Sequence, residues 1–388
     1  MIKGKFAGYE TNGVIVAASS PATESVERVL RCQENGAAAV ILKTASQTRI
    51  PDVSPRRCLV RNGLFWAKSS FNREILTLEQ GEALVTGCKR ANVTIPVAAS
   101  VTELTLEEQD WLRDCERMEA AGADAVQLDF FYVENMLMEP NFETRFVALL
   151  RKICDCVGIP VMPKLNIALP AAYATHLLKQ AGIRYVSLLD SIKTPTPVFV
   201  DWYEHSGPAE SIPRFTFERN LSGGGLSVFG SFMLPITAQY VETISRAGFE
   251  VCAGGGVTDG GSASNLLLLG ASSVQVATDV LLNGYQRFSD LNKEIELIDE
   301  YAVSAYLQGS HGDLKCFHEL GGSIRRPLRS EGLAKLCSNL CEPSSCDQTC
   351  VRQAFCDRVC MEGTPIFKCC EGCRLCAALC PRQAIRLL

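Results

Sequence analysis

Five cysteines fall within the short stretch CCEGCRLCAALCP, Cys369 to Pro381. Four of them follow the spacing Cys370-x2-Cys373-x2-Cys376-x3-Cys380-Pro381. That is the spacing of the bacterial ferredoxin motif, in which short CxxC bites let thiolates and backbone amides wrap a cubane iron–sulfur cluster. The fourth cysteine of such a run usually serves a different cluster from the first three, so one run implies a second set of thiols. The candidates lie upstream as Cys337-x3-Cys341, Cys346-x3-Cys350 and Cys356-x3-Cys360, none of them in the CxxCxxC pattern of an ordinary first half. The expected ligands are Cys346, Cys350, Cys356, Cys360, Cys370, Cys373, Cys376 and Cys380, holding one [4Fe-4S] cluster and a second that this spacing leaves open. A four-cysteine zinc site is the alternative chemistry for the same residues, and a disulfide knot is the other. Cys369 reads as a bystander.

Of the nineteen cysteines, eleven crowd into residues 337–380, while Cys32, Cys58, Cys88, Cys115, Cys154, Cys156, Cys252 and Cys316 are scattered ahead of them. Crowding of this kind in a reducing compartment points to metal, and the scattered thiols read as small buried apolar residues. A chain of 388 residues, 47% hydrophobic, exceeds what one core usually supports, so two domains of unequal size are expected. The divisions are 1–310 for the large domain, 311–336 for a linker and 337–388 for a small ferredoxin-like domain. A net charge of −5 without a long Lys/Arg run gives no electrostatic footprint for nucleic acid. No segment reaches the ~18 apolar residues of a membrane span and no leader precedes a cleavage site, so a soluble, cytoplasmic protein is expected.

The elements that must serve this tail are written between residues 14 and 282. Eight short apolar runs recur there: VIVAASS, AAAVILKTA, IPVAASV, AVQLDFF, IPVMPKLN, YVSLLDS, EVCAGGGV and SVQVATDVL. Short β-branched runs separated by helix-length amphipathic spacers predict parallel strands buried on both faces, and eight of them predict a (β/α)8 TIM barrel. A doubly wound sheet is the alternative. Spacers such as ESVERVLRCQENG and TAQYVETISRAG carry apolar residues at helical spacing and stop on Gly36 and Gly248.

In a barrel, residues at the carboxyl ends of the strands build the active site. That rule selects Ser19, Lys43, Asp129, Lys164, Asn166, Asp190, Ser191 and Gly254-Gly255-Gly256. A lysine that ends a barrel strand, as in LKT and PKL, needs an anionic partner. The glycine run after the seventh strand, and the stretch through the eighth, sit where barrels commonly bind phosphate. With an electron-transfer tail, these features point to a phosphorylated redox cofactor. Flavin mononucleotide (FMN) fits, because it exchanges single electrons with clusters and a hydride with a substrate. No GxGxxG opens a helix after a strand, so no dinucleotide domain is expected.

The ordered stretches VIVAASSPATES, ILKTAS, SPRR, SSFN, AGADAVQLD, IPVMPKLN, GGGV and GASSVQV resemble the dihydroorotate dehydrogenase family, most closely the FMN and iron–sulfur half of dihydropyrimidine dehydrogenase. The resemblance spans residues 10–285 and implies FMN at the barrel mouth with a planar heterocycle stacked on it. It matches Lys43 and Lys164 to flavin lysines. It matches Ala18, Ser19, Gly230, Gly255, Gly256, Ala277 and Thr278 to flavin contacts, and Asn72 to an asparagine that touches flavin and substrate. It also implies a homodimer.

The departures from the family are specific. Where the family reads Asn-x-Ser-Cys-Pro after the fourth strand, this chain reads Asp129-Phe130-Phe131-Tyr132-Val133. Tyr132 thus stands where the loop's catalytic cysteine would be, and becomes the candidate proton donor, with Glu134 as its rival. After the sixth strand Asp190-Ser191 replaces Asn-Thr. Ionised carboxylates accept but do not donate, so the pocket is expected to prefer a donor-rich or cationic heterocycle over an acid. The four histidines, His176, His205, His311 and His318, lie away from the strand ends and read as structural. The candidate catalytic set is Tyr132, Asn72, Asp129, Asp190 and Ser191. The activity expected is reduction of an activated C=C or C=N bond in a pyrimidine-like heterocycle. Electrons would come from a separate ferredoxin or NAD(P)H-dependent reductase subunit. The second expectation is an electron-transfer subunit whose flavin meets no organic substrate.

Overall fold

The computed structural model describes residues 2–47, 58–61, 64–68, 75–189, 191–194, 198–204, 211–217, 226–306, 334–336, 359–362, 364–367 and 385–387. Two units divide at His318 and Glu319. In the first, the eight predicted runs become eight parallel strands: Ile15–Ala17, Ala39–Ile41, Val97–Val101, Ala125–Asp129, Val161–Lys164, Tyr185–Ser187, Glu250–Gly254 and Ser273–Val276. Each pairs with the next, and the last pairs back onto the first with Val274 opposite Ile15. The sheet therefore closes into a (β/α)8 barrel, and the doubly wound alternative is excluded.

Closure follows from the sequence pattern. Each strand is apolar on both faces, so it needs cover on both, and the helices between strands supply the outer layer. Helix Val26–Glu34 starts on the Ser25 side-chain cap and stops where Gly36 takes φ +90°. Helix Leu234–Arg246 carries proline in its first turn and is followed by Gly248 at φ +94°. Both stops use the left-handed conformation that glycine adopts without a Cβ penalty. Helix Arg287–Tyr306 follows the eighth strand and packs on Gly260–Leu268.

Alternation along each strand sorts residues between two cores. Val97, Ala99 and Val101 join the large cluster that the helices complete, whereas Ala98 joins a smaller cluster inside the barrel with Val16, Ala39, Ile41, Ala125, Met162 and Cys252. An antiparallel hairpin, Lys3–Phe6 with Tyr9–Asn12, closes that end. Its Phe6 is fully buried in the inner cluster, while Lys5 N–H donates to Ser272 O and Tyr9 Oη to Asp124 O. At the opposite end runs a four-stranded antiparallel sheet in the order Ile192–Thr194, Leu226–Gly230, Leu64–Lys68, Cys58–Arg61. A separate ribbon pairs Val198–Glu204 with Ser211–Phe217.

Of the scattered cysteines, Cys32, Cys88, Cys115 and Cys252 are buried, as expected of inert thiols, but Cys154 is only half-buried and Cys156 is exposed. Burial pushes the Cys252 thiol up to about 12 and the Cys88 thiol up to about 11. No helix among the described residues is long and apolar enough to cross a membrane.

In the second unit, Ala334–Leu336 pairs antiparallel with Ile385–Leu387, and Val359–Glu362 with Thr364–Phe367. The first pairing joins the strand just before Cys337 to the strand just after Cys380, so all eleven clustered cysteines lie on a chain segment whose two ends are stitched together. The cysteine side chains themselves, and thus the cluster assignment of Cys346, Cys350, Cys356, Cys360, Cys370, Cys373, Cys376 and Cys380, lie outside the described residues.

Candidate active site

The carboxyl ends of the barrel strands open into a cleft with about 1200 Å³ of empty space, part of it open to solvent. Its walls bring together most of what the sequence nominated. Ala18 and Ser19 follow the first strand, Lys43 the second, and Asp129 and Lys164 end the fourth and fifth. Ser191 comes from beyond the sixth strand, Gly230 from the edge sheet, Gly255 and Gly256 from beyond the seventh, and Ala277 and Thr278 from beyond the eighth. Tyr132 faces the cleft from the loop after the fourth strand. Asn72 and Asp190 lie outside the described residues. Asn166 is not part of the wall: it is buried and its Oδ1 accepts the Ala168 N–H at 3.0 Å, capping its own loop. His176 is exposed on a barrel helix with its Nε2 2.8 Å from Gln180 Nε2, and His205, His311 and His318 lie outside the described residues.

Two cations reach this cleft from inside the protein. Lys43 is 5% exposed. Lys164 stands directly across the ladder from Asp129, and its Nζ lies 3.3 Å from Asp129 Oδ2. The same carboxylate oxygen accepts from Thr44 Oγ1 at 3.3 Å, so the Asp129 charge is matched and held in place. A buried charge without such partners would cost several kcal/mol, about 3–5 when one member of a pair is removed.

Below these ends a chain of hydrogen bonds crosses the barrel interior. Gln275 Nε2 donates to Ser187 Oγ at 2.8 Å, Ser187 Oγ donates to Gln127 Oε1 at 2.8 Å, and Gln127 Nε2 donates to Ser100 Oγ at 3.0 Å. Ser100 and Thr44 hydroxyls lie 3.0 Å apart, as do those of Thr44 and Ser19. Sequence reasoning missed Thr44, Ser100, Gln127, Ser187 and Gln275. For Ser100, Gln127, Ser187 and Gln275 the signal was visible, since each interrupts an apolar strand run at an inward position, whereas Thr44 lies past the end of its strand beside Lys43.

The glycine loop explains its own composition. Gly255 and Gly256 take φ of +107° and +93°. A Cβ on Gly256 would come within 2.2 Å of Leu234 N, and one on Gly255 within 2.7 Å of Thr237 Oγ1. Only bare backbone fits between the cleft and the helix that starts at Leu234.

The aromatic pair divides its roles. Phe130 is fully buried between Trp111 and Phe146, with ring centroids at 4.9 Å to each, and is packing. Phe131 turns the other way, lines the cleft and meets Tyr132 edge-on at 5.2 Å. Glu134, the rival proton donor, does not line the cleft; its Oε2 lies 2.9 Å from Lys193 Nζ. Further out, Glu103 follows the third strand and is buried beside Asp114 of helix Glu108–Ala120. Desolvation, then the Glu103 carboxyl, push the Asp114 carboxyl up to about 7 against the pull of Arg113.

Among known proteins, the chain is similar to the chloroplastic dihydropyrimidine dehydrogenase (NADP(+)) of Arabidopsis thaliana, at 24% identity over 309 residues, covering 74% of this chain and 71% of the relative. It is also similar to the PreA subunit of the NAD-dependent dihydropyrimidine dehydrogenase of Escherichia coli K12, at 22% identity over 300 residues, covering 74% and 70%. No family model matches the chain. Identities of this size support an oxidoreductase of the dihydropyrimidine dehydrogenase kind without singling out a member.

Proposed function

We propose that the protein is an FMN- and iron–sulfur-dependent oxidoreductase. It adds two electrons and two protons across an activated C=C or C=N bond of a pyrimidine-like heterocycle. The observation that carries this reading is the convergence of Lys43, Lys164, the Gly254–Gly256 backbone and Thr278 on one cleft at the strand ends. That donor set fits an anionic, planar cofactor with a phosphate: ammonium groups for the ring edge, and bare amides with a hydroxyl for the phosphate. When bound, FMN supplies a hydride to one atom of the double bond and takes up single electrons from the clusters.

The chain's own residues divide the remaining tasks. Lys43 and Lys164 hold positive charge where negative charge develops. Asp129 fixes Lys164 in the orientation that its 3.3 Å contact defines. The Tyr132 hydroxyl delivers a proton to the atom beside the one that receives hydride, and is reprotonated from solvent through the open side of the cleft. Ser191 hydrogen-bonds the substrate edge, joined by Asn72 and Asp190. The acceptor character of Asp129 and Asp190 favours a ring that presents N–H groups. Cys346, Cys350, Cys356, Cys360, Cys370, Cys373, Cys376 and Cys380 would hold two [4Fe-4S] clusters, whose chemistry is single-electron transfer, and a ferredoxin or a nicotinamide-dependent subunit would be the separate donor. The protein acts as a homodimer in the cytoplasm.

The test is anaerobic purification with flavin and iron analysis, then photoreduction and a spectrophotometric screen with uracil, thymine and their 5,6-dihydro forms. FMN, about eight irons per chain for two cubane clusters, and reoxidation by uracil or thymine are expected. Zinc, or no flavin, overturns the reading. FMN and iron with no acceptor point instead to an electron-transfer subunit, a reading favoured by the presence of Tyr132 where the resembled family has cysteine.

A further inference from the structure

We infer that Lys193 is a positioning residue that clamps the Phe131–Tyr132 loop over the cleft by tying it to the edge sheet. The inference rests on the proposed role of Tyr132 as proton donor.

Lys193 belongs to the short strand Ile192–Thr194, which pairs antiparallel with Leu226–Gly230. It stands directly opposite Ser227, a buried residue of the cleft wall, and directly paired residues of an antiparallel ladder project from the same face. The Lys193 side chain is thereby sent toward the cleft rim, although it does not line the cleft itself. Its ammonium meets three residues of one turn. The Nζ lies 4.9 Å from the centroid of the Phe131 ring, 5.5 Å from that of Tyr132 and 2.9 Å from Glu134 Oε2.

These contacts are of two kinds with one geometric result. The rings offer their electron-rich faces to the cation, and Glu134 neutralises it. Phe131 and Tyr132 meet edge-on, so one cannot swing without disturbing the other. The turn is anchored from below by the buried Val133 and Met136 and by backbone bonds from Val133 N–H to Phe130 O and from Asn135 N–H to Tyr132 O. Tyr132 begins a single-turn helix, Val133–Met136, without a side-chain cap, and only Val133 and Met136 are buried in it. A cation on the neighbouring sheet adds a restraint on the two rings from outside the turn. The edge sheet contributes Ser227, Phe229 and Gly230 to the cleft, so the clamp fixes the phenol relative to a wall that meets the ligand.

The direct test is hydrogen–deuterium exchange on the full chain, which requires no substrate. Lys193→Met is expected to raise exchange in the segment Phe131–Leu137 severalfold while strand Ala125–Asp129 keeps its protection. Lys193→Arg, which preserves the cation, is expected to restore the wild-type rate. Unchanged exchange in Lys193→Met overturns the clamp. A rise that spreads through the barrel strands, or that Arg does not reverse, also overturns it. In enzyme turning over uracil, Lys193→Met is expected to lower kcat about tenfold with KM altered less than twofold, because a mispositioned proton donor acts on the transition state. A loss carried by KM alone overturns the positioning role. If uracil is not turned over, the functional proposal fails while the exchange experiment still decides the clamp.

Discussion

The lower and upper halves of the barrel interior are built from the same eight strands and differ in almost every other respect. Below, Val16, Ile41, Ala98, Met162 and Cys252 close around Phe6 with no polar side chain among them. Two residues further along the same strands stand Ala18, Lys43, Ser100, Lys164 and Gly254, and the interior turns polar. The change takes one inward step, about 7 Å of strand. A barrel can thus keep a stabilising core and a chemically active mouth in one closed sheet, provided that the polar half is fully hydrogen-bonded. The relay from Gln275 to Ser19 meets that condition.

The contrast can be broken from either side. Ile41→Ala in the lower half should cost about 4 kcal/mol of stability, read by urea unfolding, and should leave FMN affinity unchanged. Loss of flavin at unaltered stability would erase the distinction between the halves. Next in size is the outward extension of the polar half. The Asp114 carboxyl titrates near 3.8 when unfolded and about 7 when folded, so the folded state binds the extra proton between those values. Stability should therefore fall as pH rises from about 4 to about 7, by up to about 4 kcal/mol. Asp114→Asn, which keeps the oxygen that accepts from Arg113, should flatten that profile. A profile unchanged in the variant would show that another group titrates. Tyr132→Phe should lower kcat about 100-fold, equivalent to about 2.7 kcal/mol, with the melting temperature and flavin content of wild type. Activity retained would transfer the proton step to another residue. The smallest effect is expected from Gln127→Leu, which leaves Ser100 and Ser187 each short of a partner and should cost about 2 kcal/mol. Because the relay reaches Asp129 through Thr44, this variant should also weaken FMN binding, which separates it from Ile41→Ala.

How legible each half was in the sequence follows from the same geometry. The strands announced themselves because runs such as AVQLD and SVQV are short, β-branched and regularly spaced, and closure needed only their count. Lys43, Asp129 and Lys164 were legible because they end apolar runs, where the barrel rule gives position a meaning. Ser100, Gln127 and Ser187 were passed over because a polar residue inside an apolar run looks like noise until inward and outward positions are separated. Asn166 misled for the opposite reason: it lies at a strand end but turns back to cap Ala168. Lys193 was beyond sequence reasoning, since its partners lie some sixty residues away and meet it only across the ladder with Ser227.

The seal made by Phe6 has a consequence for traffic. With one end stoppered by the hairpin, the barrel is a vessel with its mouth at the top, and a heterocycle that enters must leave by the way it came. Under the proposed activity, product has to clear that doorway before the next substrate arrives. Initial-rate kinetics should then show product competing with substrate for that one mouth.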